Sequence, residues 1–445
     1  MDFNAFKEAV IAKCAQMGIT EYELYYQNAE STSIGAFQHE INQFTCSTEG
    51  GVCFRCIVGG KMGYASTEDL SPQQAASVVE KAVDNATVLE AEEQVFLCEG
   101  GQEYEPLEDR SYPLPGTEEI ISTVLSTQDK LYAANSAVID GSQTQGVAER
   151  SEIAIYNSKG LDLHSVTSLS GLIAVAVVTN GQEMANDYQV KLAKLSTIDT
   201  DALTQKAAAT ALQKLGGDVA PTGQYPVVFD PEAMSDLLQT YSSIFSSEAA
   251  QKGLSKLADQ EGKVIASDVV TLVDDPFHPT NPGARNFDAE GSPTHCKNVI
   301  ENGVFNTLLY NLKTAAVAGK KTTGNASKAG YAGAVGISPF TMYLAPGELS
   351  EDALIAKAGE GVYINSLGGL HAGADPISGD FSLQSSGFMI RGGKKAEYVK
   401  SFTVAGNFYE MLKNITCVAS NLEMPGMSSF GSPSVLVQGL SIAGK

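Results

Sequence analysis

The stretch Leu370-His371-Ala372-Gly373-Ala374-Asp375-Pro376-Ile377-Ser378-Gly379-Asp380-Phe381-Ser382-Leu383 is the part of the chain whose reading decides the rest. Gly373, Pro376 and Gly379 predict tight turns, and Asp375, Ser378 and Asp380 are the residue types that hydrogen-bond a turn's own backbone. A strand follows, with a second turn at Gly392-Gly393-Lys394. His371, Asp375 and Asp380 also lie close enough in sequence to be considered as a ligand set or an acid-base group. The turn formers between them favour a structural role, with peptide contact as the second reading and independent catalysis as the third.

Working outward, a second unusual stretch lies upstream: Gly283-Ala284-Arg285-Asn286-Phe287-Asp288-Ala289-Glu290-Gly291-Ser292-Pro293-Thr294. It precedes Asn302-Gly303, a strong hairpin dipeptide because both central residues of a type I′ turn need positive φ. Short strands are predicted at 299–300, 308–309, 342–344 and 402–404. One helix opens this half, with Asp230 as its cap, Pro231 at its first position, and a stripe of Met234, Leu237, Leu238, Tyr241 and Phe245. The punctuated run Gly216, Gly217, Pro221, Gly223 marks a domain boundary before it.

Ahead of that boundary the pattern is helix, strands, helix. Phe3, Phe6, Val10, Cys14 and Met17 recur at helical spacing and Gly18 stops the run. Strands are read at Tyr22, Leu24 and Tyr26, at 52–58 and at 62–65. A helix follows from Ser71 and Pro72, with Ala75, Val79, Ala82, Val83 and Ala86 as its apolar stripe. The same order recurs with helices at 117–135 and 200–215 around strands at 153–156 and 172–178, which suggests a structural duplication. The expected fold class is α+β: an N-terminal α/β domain over 1–216, in one or two helix-strands-helix units, and a mainly antiparallel β domain over 224–445.

Composition narrows the function. The chain has 445 residues, 43% of them hydrophobic, enough for full cores without staples. Seven irregularly spaced cysteines argue against a disulfide framework and for a reducing compartment. The first residues carry no signal-peptide pattern and no stretch reaches the roughly 18 apolar residues of a membrane span, so a soluble cytoplasmic protein is expected. A formal net charge of -23 repels polyphosphate and disfavours nucleic acid as a partner. Lys320-Lys321 and Lys394-Lys395 are read as solvated turns.

Other constellations carry bland readings. Cys53 and Cys56 lie three apart in a strand-like run, on opposite faces, as packed thiols. His278, His295 and Cys296 match no zinc template. Ser242, Ser243, Ser246 and Ser247 have no His or acid partner at motif spacing, and Gly324 fails the phosphate-loop pattern.

The stretches 283–294 and 370–383, with the element order around them, resemble the TldD/PmbA family, labelled modulators of DNA gyrase and associated with proteolysis. The resemblance implies an N-terminal α/β domain, a C-terminal domain on a curved antiparallel sheet, and dimers enclosing a peptide-accepting channel. It also implies a division of labour, in which the TldD branch carries His-Glu-x-x-x-His on the first helix of the C-terminal domain and a later Cys, together holding a catalytic metal. Here the matching positions are Gln239, Thr240 and Ile244, and the segment 421–434 has no cysteine. Hydrolytic zinc needs about three N, S or carboxylate donors and a carboxylate for the water's proton. An amide, a hydroxyl and a hydrocarbon supply neither.

The chain is thus expected to resemble the PmbA/TldE branch: a subunit without cofactor, with zinc only in a TldD-like partner, acting on unfolded peptides. Arg285, Asp288, Glu290, His371, Asp375, Ser378, Asp380 and Ser382 are its peptide-contact or structural candidates. A homodimer of the isolated chain is the other assembly the resemblance allows. Two rival functions stand beside it: a self-sufficient peptidase using His371 and Asp380, and a binding protein acting on DNA gyrase.

Overall fold

The computed structural model describes residues 2–90 and 94–445. The chain begins with α1 (Phe3–Met17), capped by the Asp2 carboxylate on the Ala5 N–H at 2.8 Å and ended by Gly18 at φ 70°. Three antiparallel strands follow, β1 (Tyr22–Phe37), β2 (Glu40–Val58) and β3 (Lys61–Thr67), then α2 (Pro72–Val88). The Ser71 hydroxyl caps α2 by accepting from the Gln74 N–H. The order then repeats with α3 (Thr117–Ala134), β4 (Gln143–Asn157), β5 (Asp162–Thr179), β6 (Met184–Leu192) and α4 (Thr200–Gln213).

These six strands make one sheet, in the order β3-β2-β1-β4-β5-β6. The seam is the antiparallel β1–β4 pair, which runs from Glu23 opposite Asn157 to Phe37 opposite Gln143. Strand periodicity of two decides what each face does. Tyr22, Leu24, Val52, Phe54 and Cys56 pack under α1 and α2, while Ile34, Ala36, Leu172, Ala174 and Ala176 pack under α3 and α4. The opposite face shows Tyr25, Cys53, Ile153 and Ile155, which pack against Phe287, Ala289 and Ala326 from the second half. Cys53 and Cys56 do lie on opposite faces, both buried and unbridged. The strands are longer than the apolar alternation suggested, and β6 was not foreseen because its pattern mixes Asn186, Asp187, Gln189 and Lys191 with apolar residues.

The second half starts with β7 (Asp218–Val219) and β8 (Gly223–Phe229), then α5 (Pro231–Tyr241). Strand β8, Gly361–Gly368, Asp380–Arg391, Lys394–Asn407 and Val435–Ala443 pair successively, and the last returns to β8, which closes a five-stranded ring. Four of the five pairings are antiparallel; β8 with Gly361–Gly368 is parallel. Helix α5 lays Met234, Leu237, Leu238 and Tyr241 into the main core beside Phe229, Val362, Phe381 and Val404. The fold is α+β, as expected.

Asn302 and Gly303, at φ 47° and 83°, form the hairpin turn between Lys297–Glu301 and Val304–Phe305. Two local expectations need correction. Residues 308–309 form no strand; Leu309 makes an isolated bridge to Ser246, and both leucines are drawn into the core by burial instead. Lys395 is not in a solvated turn but in a strand, with its ammonium 3.2 Å from Glu351 and over the Tyr363 ring. No helix among the described residues is long and apolar enough to cross a membrane.

Candidate functional site

Helix α5 starts as its sequence demands: the Asp230 carboxylate accepts from the Ala233 N–H at 2.8 Å, and Pro231 takes a position whose N–H has no helical partner. Burial pushes the Asp230 carboxyl up to about 8. Six residues on, burial and then the Glu232 charge push Asp236 up to about 6. Glu232 accepts from the Tyr188 hydroxyl of β6 at 3.1 Å, so the edge of the first sheet meets this helix.

The α-helix ends at Tyr241, and residues Ser242–Phe245 continue as a 3-10 turn. That change of winding places Gln239, Thr240 and Ile244, the positions that the resemblance matches to the metal motif, in three different settings. Gln239 is exposed, and the Thr240 hydroxyl is engaged, donating to the Asp236 carbonyl at 2.7 Å. Ile244 is 1% exposed and packed in the main core. These residues do not fit a hydrolytic metal: the core position has no donor, and the helix supplies no imidazole. Among the described residues, no group of three or more His, Cys, Asp or Glu side chains is placed to hold a metal ion.

Tyr241 ties the end of α5 to the 370–383 stretch. Its ring stacks on Phe408 at 4.4 Å between centroids, and its hydroxyl donates to the Asp380 carbonyl at 2.9 Å. Within the stretch, the Asp375 carboxylate accepts from the Ile377 N–H at 2.9 Å, and this bond and the Ser378 hydroxyl hold it below the usual carboxylate range. The Gly379 N–H donates to the Asp375 carbonyl, the Asp375 N–H to the Asp380 carbonyl, and the Asp380 N–H to the Ser378 hydroxyl. The Asp380 carboxylate accepts from the Asn407 amide at 2.8 Å. Gly379 sits at φ 84° with the Tyr409 ring where a Cβ would go, so only glycine serves there. His371 and Ser382 are exposed, with no hydrogen-bond partner on their side chains among the described residues.

The 283–294 loop lies elsewhere, against β1 and β2. Asp288 is wholly buried and accepts three backbone N–H bonds at 2.9 Å, from Glu290, Ser292 and Ala326. Burial, with the charge of Glu290, still pushes its carboxyl up to about 7. Glu290 accepts from the Leu312 N–H at 2.9 Å and stands 3.8 Å from Arg55, whose guanidinium bonds Glu23 at 2.7 Å. The loop is therefore a charged joint between the two halves. Arg285 points to a different place, a cavity over the first sheet. Sequence reasoning did not single out Glu23 or Arg55, and it read Tyr241 only as part of an apolar stripe. The signal for the first two was present, as charged residues inside the apolar runs Tyr22-Glu23-Leu24 and Phe54-Arg55-Cys56.

The model described as PmbA/TldA metallopeptidase C-terminal domain matches residues 222–444, and the companion models for domain 1 and the central domain match 22–86 and 112–215. The chain belongs to the PmbA/TldD metallopeptidase family. It is 24% identical over 435 residues to the metalloprotease PmbA of Escherichia coli O157:H7, covering 95% of this chain and 92% of that protein. A crystal structure from Thermotoga maritima, described as a modulator of a DNA gyrase, matches with a TM-score of 0.90 at 29% identity over 99% of this chain and 100% of that one. TldE from Thermococcus kodakarensis shares the fold, with a TM-score of 0.85 at 22% identity over 99% of this chain and 100% of that one.

Proposed function

We propose that this PmbA/TldD-family chain is the metal-free subunit of a two-component cytoplasmic protease. It pairs with a TldD-like chain that carries the zinc, helps to enclose unfolded peptide, and leaves bond cleavage to the partner. The observation that carries this reading is the setting of the motif positions. Ile244 is a core hydrocarbon, the Thr240 hydroxyl is engaged by the helix backbone, and Gln239 is a neutral amide at the surface. Activation of water by a metal needs anionic or imidazole donors and a nearby proton acceptor.

The network around Asp375 and Asp380 supports a shaping role for the 370–383 stretch rather than chemistry, since both carboxylates are engaged in holding turns. Their neighbours His371 and Ser382 are presented outward, where a peptide in the shared channel can meet them. The test is co-expression with a TldD-like chain from the same genome. The purified complex should contain about one zinc per heterodimer and cleave an unfolded protein, and the isolated chain should do neither. One tightly held zinc in the isolated chain, or cleavage by it that depends on His371, overturns the reading.

A further inference from the structure

A cavity of about 270 Å³ lies between the open face of the six-stranded sheet and the loop that carries Arg285. Its wall includes Gln27 of β1, Glu149 and Ser151 of β4, and Ser165 and Thr167 of β5. The strand registers place these on one face: Gln27 opposite Ile153, Ile153 opposite Ser165, and Ser151 opposite Thr167. Glu149 follows two residues from Ser151 on the same side, opposite Ser31.

The charges on this wall have no counter-ions. The Arg285 guanidinium lies beside the Tyr25 hydroxyl, yet it is in no ion pair among the described residues, and its Nε and Nη1 are closed off from solvent without an acceptor. Gln27 Oε1 is likewise buried without a donor. In a chain with 52 acidic against 29 basic residues, an unpaired arginine under a loop is not explained by a shortage of carboxylates. The Glu149 side chain, on the same cavity, makes no ion pair or hydrogen bond among the described residues. Guanidinium N–H groups desolvated without an acceptor are unfavourable, and a carboxylate is the ligand group that best relieves them.

The geometry points to a site for a short zwitterionic peptide, with its carboxylate on Arg285, its ammonium on Glu149, and its amide groups among Gln27 and the Ser151, Ser165 and Thr167 hydroxyls. Tyr25, beside the guanidinium, lies opposite Ile155, six residues from Glu149 along β4, roughly 20 Å at about 3.3 Å per residue. With two side chains reaching inward, that leaves a span for two or three residues, which cover roughly 7–11 Å. Because Nε and Nη1 are closed off, the site requires the guanidinium to turn about its terminal χ angles to meet the carboxylate. The inference deepens the peptidase reading, which accounts for the source of such fragments as products of cleavage, but the site belongs to this chain alone.

The test is calorimetric titration of the purified full chain with Ala-Ala, N-acetyl-Ala-Ala and Ala-Ala amide. Ala-Ala should bind, and blocking either end should weaken binding at least tenfold. In Glu149→Gln the penalty for acetylation should vanish while the penalty for amidation persists; in Arg285→Lys the amidation penalty should persist, and in Arg285→Gln it should vanish. Glu149 is a partly exposed strand residue, so Glu149→Gln keeps the inference testable should the arginine variants not fold. Equal binding of the three compounds, or saturable binding of none of them, overturns the site. Failure of the two-chain complex to cleave protein would leave these titrations unchanged, so the two readings fail separately.

Discussion

The hydroxyl of Tyr241, the last residue of α5, donates to the main-chain carbonyl of Asp380, 139 residues further on, at 2.9 Å. The same carbonyl accepts the Asp375 N–H at 2.9 Å, so one acceptor joins the helix to both ends of the 375–380 turn.

Tyr241→Phe keeps the ring on Phe408 and removes only this bond. The expected loss is about 1 kcal/mol, as for a typical hydrogen bond whose acceptor keeps another donor. Denaturant unfolding should show it, and amide exchange of Asp375 and Gly379 should accelerate. Unchanged exchange at both would mean that the turn holds itself.

The motif positions should respond oppositely to truncation. Ile244→Ala opens a cavity in a packed core and is expected to lose about 2–5 kcal/mol. Gln239→Ala, at an exposed helix position, should stay within about 0.5 kcal/mol of the parent. A neutral result at Ile244 would contradict its place in the core.

Asp236 predicts a pH dependence with a definite sign. Its folded-state carboxyl, raised to about 6 from 3.8 by burial and then by Glu232, contributes stability that is fully present below about pH 4 and lost as pH rises through 6. Asp236→Asn removes that loss. Compared by thermal unfolding, it should match the parent near pH 4 and exceed it at pH 8. The reverse order would refute the shift.

The charged joint offers a fourth check. Arg55→Met leaves Glu23 buried at 1% exposure with its guanidinium partner gone, and should lose about 3–5 kcal/mol. Adding Glu23→Leu should restore part of it, because a hydrophobic pair of similar volume replaces an ion pair at little net loss. Stability curves of the single and double variants decide this, and no recovery would show that Glu290 also depends on Arg55.

Much of the local structure was legible in advance because its causes are local. Ser71 and Asp230 cap the helices they precede, Asn302-Gly303 makes the hairpin, and Asp375, Ser378 and Gly379 make the turn, each through neighbours a few residues away. The leucines at 308 and 309 misled, since an apolar pair says that it is buried without saying in which backbone state.

The residue identities alone determined which chemistry positions 239, 240 and 244 can offer, because a side chain's donors do not depend on the fold. Only the tertiary structure decided that 244 faces the core, that β1 and β4 weld two units into one sheet, and that the strands of the second half close on themselves. It also decided that Arg55 meets Glu23 and Glu290, and that Arg285 and Glu149 share a cavity. Those relationships join residues that are mostly far apart in the chain, and register and packing, not local preference, bring them together.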